Sequence, residues 1–318
     1  MKHNVVIDCD PGIDDSLALL VALNNPNIDV LAITIVAGNV PVDKGYENAL
    51  KILELTGRKD IPVYKGDTSS MYISAEDTHG KNGIGNYNLP FDISLALEEE
   101  KMTASEALSF YAERHYDLEV LAIGPLTNIS AVMHKDLTFI HNVKRIVCMG
   151  GCYKSYGNCT PVSEYNFWCD PVSAEFVFNE MRKLRNSDDE NYIPNKFLLV
   201  SLDVTRPCVL DSRRLNSLKT SPYYSVIEGI TNFYTDFHKE HEGIEGCVIN
   251  DPVAVYALLD RYITSIDADV YVYVSDDVCR GQSVVDAHNF YKKRCNAEIV
   301  TEINTDLFFE WFKDTLKN

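Results

Sequence analysis

The sequence predicts an α/β fold: one domain over residues 1–318, with an open, mixed and mainly parallel sheet flanked by helices. Short apolar runs rich in β-branched residues alternate with helical patterns along most of the chain, which is typical of βαβ units. The 318 residues are 46% hydrophobic, an ordinary globular composition that supports a large core. The sequence shows no internal repeat and no low-complexity tract that would indicate a different architecture.

Individual elements follow from these patterns. Predicted strands of the main sheet are 4–8, 29–36, 119–123, 144–149 and 196–202, and predicted peripheral strands are 271–275 and 297–303. Predicted helices, several of which follow a capping Asp, Asn, Ser or Thr, are 14–24, 42–57, 104–116, 127–134, 171–182, 222–240, 251–259 and 306–316. Residues 185–195 are predicted as a surface loop. Residues 66–92 are too long for an ordinary connection and are predicted to form a mobile lid over a site.

Composition excludes several classes of partner. The chain has 29 Lys and Arg against 47 Asp and Glu, a net charge of −18, whereas nucleic acids and anionic membranes attract clustered basic residues. Its longest apolar runs fall far short of the ~20 residues that span a bilayer, and early aspartates interrupt any signal peptide. Nine scattered cysteines without C-x-x-C pairs fit free thiols. We therefore expect a cytoplasmic protein that binds neither nucleic acid nor membrane.

The most informative chemistry lies in VVIDCDPGIDDSLALLVAL (5–23). An apolar strand leads into four aspartates and then into a helix: Asp8, Asp10, Asp14 and Asp15. Ligands of open α/β sheets bind beyond the carboxyl ends of the strands, which is where these side chains lie. Carboxylates this close repel one another unless a cation neutralises them, and oxygen ligands select Ca²⁺ or Mg²⁺ rather than zinc. N-capping would explain one aspartate but not four.

A D-x-D motif at a strand end also permits a second interpretation, a phosphatase of the haloacid-dehalogenase type that uses Mg²⁺. Asp8 would then be the nucleophile and Asp10 the acid. However, Pro11 and the adjacent pair Asp14 and Asp15 are not part of that pattern.

The segment D-x-D-P-G-x-D-D (8–15) resembles the N-terminal signature of the nucleoside hydrolases of the inosine–uridine-preferring type. Further segments match in order over essentially the whole chain: TIVAGN (34–39), THGKNGIG (78–85), AIGPLTNI (122–129), MGGCY (149–153), GNCTPVSEYNFWCDP (157–171), NDPVAVYAL (250–258) and INTDLFF (303–309). The resemblance implies Ca²⁺-dependent hydrolysis of the N-glycosidic bond of ribonucleosides to ribose and free base, in nucleoside salvage. It also implies an oligomer, which we expect to be a homodimer or a homotetramer.

The same resemblance assigns roles to individual residues. The implied Ca²⁺ ligands are the carboxylates of Asp10, Asp15 and Asp251 and the main-chain carbonyl of Ile123. Asp10 is also implied as the base that deprotonates the attacking water. The residues implied to bind the ribose are Asp14, Asn39, Met149, Asn158, Glu164 and Asn166.

The chain departs from the family at Asn250, a substrate-site position where many members have a histidine linked to the leaving base. An amide cannot act as a general acid at physiological pH. His79, Tyr234 and His238 are the candidates for this task, and Tyr234 and His238 share a helix face at i, i+4. We hypothesise that His238 compensates for Asn250. The base preference stays open, and a nucleoside-binding protein without catalysis is an alternative.

Overall fold

The computed structural model describes residues 2–67, 74–90, 101–186, 197–260 and 262–317. The strands in these ranges are β1 (His3–Cys9), β2 (Ile28–Ile35), β3 (Val63–Lys65), β4 (Glu119–Ala122), β5 (Arg145–Met149), β6 (Phe197–Val200), β7 (Val209–Leu210), β8 (Cys247–Val248), β9 (Ile263–Val272), β10 (Ser283–Asp286) and β11 (Ala297–Ile303). The helices are α1 (Ile13–Asn24), α2 (Val42–Leu55), α3 (Glu76–His79), α4 (Ala104–Arg114), α5 (Thr127–Lys135), α6 (Phe139–Asn142), α7 (Tyr165–Cys169), α8 (Pro171–Asn186), α9 (Leu202–Thr205), α10 (Ser212–Asn216), α11 (Tyr224–Glu242), α12 (Asp251–Leu258) and α13 (Thr305–Thr315).

A nine-stranded sheet organises the fold, with the strand order β10-β9-β11-β6-β5-β4-β1-β2-β3. The run from β11 to β3 is parallel throughout, whereas β9 pairs antiparallel with both β11 and β10. β7 and β8 form a separate antiparallel pair. The predicted fold class, an open, mixed and mainly parallel sheet flanked by helices, is confirmed.

Helices cover both faces of the sheet because the central strands are apolar on both sides. On β1, Val5 and Ile7 belong to one hydrophobic core and Val6 to the other, as the alternation of a strand requires. The first core includes buried residues of α1, α11, α12 and α13, and the second includes those of α4, α5 and α8. Residues that follow the parallel strands are therefore brought to one edge of a rigid platform.

Local capping explains several helix boundaries. Thr103 accepts a hydrogen bond from the Glu106 N–H and the Glu106 carboxylate accepts one from the Thr103 N–H, so α4 begins with a capping box. The Asn304 side chain accepts from the Leu307 N–H at the start of α13. Helix α11 ends at Gly243, whose φ of 68° is a left-handed conformation that favours glycine.

Three differences separate the structure from the sequence predictions. The strand predicted at 271–275 is wrong in its bounds: β9 begins at Ile263, pairs with β11 and leaves the sheet after Val272. The short strands β3, β7, β8 and β10 were missed because two to four residues show no reliable period. Helix α8 continues to Asn186, and most of the loop predicted at 185–195 lies outside the described residues.

The range predicted as a lid, 66–92, is described in part. It contains the short helix α3, and residues 68–73 and 91–92 lie outside the described ranges. Its mobility stays a prediction. No helix within the described ranges has both the length and the apolar character that crossing a bilayer requires.

Candidate active site

A cavity of about 390 Å³ opens at the carboxyl ends of the parallel strands. The predicted site residues on its wall are Asp14, Asn39, His79, Ile123, Met149, Asn158, Glu164, Asn166, Tyr234, His238, Asn250 and Asp251. Only Asp10 and Asp15 of the predicted set are not on the wall, and both are fully buried beside it. Residues far apart in the sequence therefore meet at one place.

The turn between β1 and α1 builds the acidic end of the cavity. Asp15 Oδ1 accepts from the Asp10 N–H (3.1 Å), and Asp15 Oδ2 accepts from the Gly12 N–H (3.0 Å) and from Asn39 Nδ2 (2.9 Å). A Cβ at position 12 would lie 2.7 Å from side-chain atoms of both Asn39 and His79, so only glycine fits there. The Asp10–Asp15 stretch is thus a tight turn closed by its own carboxylate.

The carboxylate oxygens of Asp14, Asp15 and Asp251 lie within 4.8 Å of one another. The predicted ligand set has Asp10 where this cluster has Asp14. Asp10 Oδ2 accepts from the Asn39 N–H (2.5 Å), and its buried Oδ1 has no hydrogen-bond partner among the described residues. An orphaned carboxylate oxygen beside three clustered carboxylates fits a hard divalent cation.

Burial controls the protonation of this cluster. Together with the neighbouring Asp14 charge, it raises the pKa of Asp15 from 3.8 to about 6. Burial, with repulsion from adjacent carboxylates, holds the pKa values of Asp10 and Asp251 well above their ordinary range. Without a counter-charge, these side chains therefore bind protons easily, and a cation would compete with those protons.

A second group of polar side chains comes from the segment that leads into α7. Glu164 caps this helix and accepts from the N–H groups of Gly151 (2.8 Å), Asn166 (2.7 Å) and Phe167 (3.2 Å). Burial raises its pKa to about 7, and those hydrogen bonds oppose the shift. Asn158 Oδ1 accepts from the Tyr165 N–H (3.0 Å). The carboxylate and the amides are thus held in fixed orientations at the cavity wall.

Asn166 links this group to the strand ends. Its Nδ2 donates to the main-chain carbonyls of Ile123 (3.0 Å) and Met149 (3.2 Å). The Ile123 oxygen keeps one more lone pair, so this hydrogen bond is compatible with its predicted role as a cation ligand.

Three rings, His79, Tyr234 and His238, line another part of the cavity wall, and His79 contacts the acidic turn. Tyr234 lies between the two histidines, with ring centroids 5.3 Å from His79 and 4.3 Å from His238. The sequence placed Tyr234 and His238 on one helix face, and both are buried on the inner side of α11. His79, from α3, contacts both Tyr234 and the turn that follows β1.

Backbone contacts define the tautomers of both histidines. The Ile13 N–H donates to His79 Nδ1 (3.1 Å), so neutral His79 carries its proton on Nε2. His238 Nδ1 faces the Tyr234 carbonyl (2.8 Å) and must donate to it, so neutral His238 has no proton on Nε2. Burial lowers the pKa of His79 to about 4 and also lowers that of His238, which keeps both rings neutral near pH 7.

Sequence reasoning missed the turn at α9 and Arg206, although Arg206 lies on the cavity wall. Asp203 accepts from the N–H groups of residues 153, 154 and 155 at 3.0, 2.8 and 2.8 Å. Arg206 donates to the Gly157 carbonyl (2.9 Å) and forms an ion pair with Glu242 at the end of α11. These contacts connect the segment around Asn158 with α11, the helix that carries Tyr234 and His238. No motif in the sequence marks residues that act by orienting other segments in this way.

The fold and this cavity together define a class of enzyme. Residues 5–310 match the family model described as inosine-uridine preferring nucleoside hydrolase, and the chain belongs to that family. The protein is a nucleoside hydrolase that acts on ribonucleosides. The phosphatase alternative and the alternative of binding without catalysis are not supported.

Individual relatives agree with this assignment. Uridine nucleosidase 1 of Arabidopsis thaliana is 30% identical over 293 residues, which are 90% of this chain and 82% of that protein. The pyrimidine-specific ribonucleoside hydrolase RihA of Escherichia coli O127:H6 is 30% identical over 326 residues, covering 100% of this chain and 99% of that one. The solved structure of the plant nucleoside hydrolase PpNRh1 has a TM-score of 0.89 and 27% identity, with coverage of 100% and 99%.

Proposed function

We propose that this enzyme hydrolyses the N-glycosidic bond of pyrimidine ribonucleosides, with uridine as the first substrate to test, and that it depends on Ca²⁺. The observation that carries the proposal is the placement of a buried acidic cluster and a neutral His79 in one cavity. The names of the two relatives above support the pyrimidine preference, since each aligns with at least 90% of this chain.

The acidic end holds the cation and the water. Asp15 and Asp251, with Asp10 or Asp14 and the Ile123 carbonyl, would hold Ca²⁺, which lowers the pKa of a water and orients ribose hydroxyls when bound. Asp10 Oδ2 is engaged by the Asn39 N–H, so Oδ1 is the atom left to accept the proton of the attacking water.

The ribose end relies on oriented amides and carboxylates. Cleavage of an N-ribosidic bond passes through an oxocarbenium-like transition state, so the sugar must be held while the bond to the base lengthens. We assign ribose binding to Asp14, Asn39, Met149, Asn158, Glu164 and Asn166, all on the cavity wall. Hydrogen bonds to main-chain groups limit the rotation of the Glu164, Asn158 and Asn166 side chains before the substrate arrives.

The base end assists the leaving group. His79 keeps a proton on Nε2 when neutral, so it can donate a hydrogen bond to a carbonyl oxygen of the departing base and stabilise the negative charge that develops there. His238 in its neutral form offers only a lone pair at Nε2. We therefore favour His79 as the donor, and the proposal that His238 compensates for Asn250 becomes the competing hypothesis.

The first experiment measures base release from uridine, cytidine, inosine, adenosine and guanosine, with Ca²⁺ or with a chelator. Turnover of uridine that is lost with the chelator and in Asp10→Asn is the expected result. Asp60→Asn, at an exposed carboxylate, is the matched control and should behave as wild type. Full turnover in the chelator contradicts the Ca²⁺ requirement, and preferred turnover of a purine nucleoside contradicts the pyrimidine preference.

A second experiment separates the two histidines. His79→Gln and His238→Gln are compared on uridine and on 4-nitrophenyl riboside, whose leaving group departs without protonation. We expect His79→Gln to lower kcat on uridine by about 100-fold, as the loss of one preorganised hydrogen-bond donor typically does, and to leave the nitrophenyl substrate little changed. The same selective loss in His238→Gln alone would instead support compensation by His238.

We also infer a cytoplasmic homodimer or homotetramer of one domain per chain. Eight cysteines are free thiols, which supports a reducing compartment: Cys9, Cys148, Cys152, Cys159, Cys169, Cys208, Cys247 and Cys279. Several apolar side chains near the β10 edge are exposed: Val278, Val284, Phe290 and Tyr291. Light scattering measures the oligomer, and a single urea transition is expected for one domain.

A further inference from the structure

Hydrogen bonds link three buried side chains in series, from a residue behind the cavity wall to the acidic end of the cavity. Thr205 Oγ1 donates to Asn250 Oδ1 (2.8 Å), and Asn250 Nδ2 donates to Asp14 Oδ2 (3.2 Å). Thr205 is fully buried and does not lie on the cavity wall, whereas Asn250 and Asp14 do. Three separate parts of the fold, α9, the start of α12 and the first turn of α1, are therefore connected in series.

The direction of this chain follows from the chemistry of its members. An ionised carboxylate only accepts hydrogen bonds, so the amide nitrogen of Asn250 must face Asp14. The amide oxygen then faces Thr205, and the threonine hydroxyl must supply the proton. Valine has the shape of threonine but no hydroxyl, so it would leave the buried Asn250 oxygen without a donor.

We infer that Thr205 is a positioning residue for the reaction, which acts through Asn250 to hold the Asp14 carboxylate in place against the ribose. The inference rests on the proposed function, which puts the sugar beside Asp14. Position 250 is then an orienting amide rather than a proton donor. This explains how a non-titrating side chain serves where many family members have a histidine.

The test compares Thr205→Val, Thr205→Ser, Asn250→Ala and the double variant Thr205→Val/Asn250→Ala, with kcat and KM measured on uridine. Thr205→Val should lower kcat/KM about tenfold, the effect of one lost buried hydrogen bond, and Thr205→Ser should restore it. The double variant should match Asn250→Ala, because Thr205 has nothing left to orient. Additive losses, or a serine variant as poor as the valine variant, would overturn the inference.

A structural measurement distinguishes this inference from the proposed function. In a crystal structure of Thr205→Val, the separation between Asn250 Nδ2 and Asp14 Oδ2 should increase from 3.2 Å to beyond hydrogen-bond range. An unchanged separation refutes the positioning role, whatever the activity. Absence of base release by the wild-type enzyme would refute the proposed function, while the crystal structures still decide the role of Thr205.

Discussion

Removal of the cation should destabilise this protein in a pH-dependent manner, because the acidic cluster is buried. The folded-state pKa of Asp15, about 6, is above its ordinary value of 3.8. The folded state therefore binds more protons than the unfolded state, and cation-free stability falls as the pH rises from about 4 through about 6. At about 1.4 kcal/mol per pKa unit, Asp15 alone costs of the order of 3 kcal/mol at pH 8.

The bound cation should recover a measurable part of that stability. At a concentration 100 times its Kd, a ligand that binds only the folded state adds about 2.7 kcal/mol. With an unfolding entropy of about 2.1 cal/mol/K per residue, the 318 residues convert this into a rise in Tm of about 4 °C. The gain should shrink at pH 5, where protons occupy the carboxylates.

The assay is thermal unfolding by circular dichroism at pH 5 and pH 8, with Ca²⁺ or with a chelator. Asp10→Asn and Asp14→Asn are compared, because the sequence places Asp10 among the ligands and the geometric cluster contains Asp14. The variant that loses the Ca²⁺-dependent rise identifies the ligand, and Asp60→Asn should keep it. Equal Tm values with and without Ca²⁺ at pH 8, or an equal gain at pH 5, would refute the reasoning.

Three further predictions concern single carboxylates. Asp8→Asn should make the chelated protein more stable at pH 8 than wild type, because burial raises the Asp8 pKa from 3.8 to about 7. Urea unfolding at pH 8 and at pH 5 is the check, and the gain should be clearly smaller at pH 5. Glu164→Gln should raise KM for uridine about tenfold, since an amide NH2 replaces one of the two oxygens that accept from main-chain N–H groups. Steady-state kinetics measures this, and an unchanged KM argues against a ribose role. Glu119→Gln should lower the free energy of unfolding by about 3 kcal/mol without changing KM. It removes the charge of a buried carboxylate, far from the cavity, that forms ion pairs with Arg145 and with the half-exposed Lys144. A change in KM would contradict this prediction.

Patterns that repeat along the chain predicted the fold well. The nearly continuous apolar runs of β1, β2, α1 and α12 arise from burial on all sides, which leaves a clear trace in the sequence. Strand β9 was misplaced because antiparallel pairing with β11 decides its bounds, and pairing partners are not visible in a local window.

The sequence predicted which residues form the candidate site but not the hydrogen bonds that orient them. The short turn after β1 revealed the aspartates, and the family resemblance supplied Asn158 and Glu164. Neither Thr205 nor Arg206 stood out, because a residue that orients another through one hydrogen bond has no characteristic spacing. The His79 tautomer was equally hidden, since it depends on a contact between His79 and a backbone N–H 66 residues away in sequence.

The contact between Asn250 and Asp14 joins residues 236 positions apart, which bears on how the protein is made. During translation, the aspartates of the first turn leave the ribosome long before α12 has been synthesised. Until then the nascent chain has a cluster of carboxylates without Asp251 and without the amide that holds Asp14. The pocket is therefore among the last features to form, and a chain that stops before residue 250 should fold in part but have no competent site.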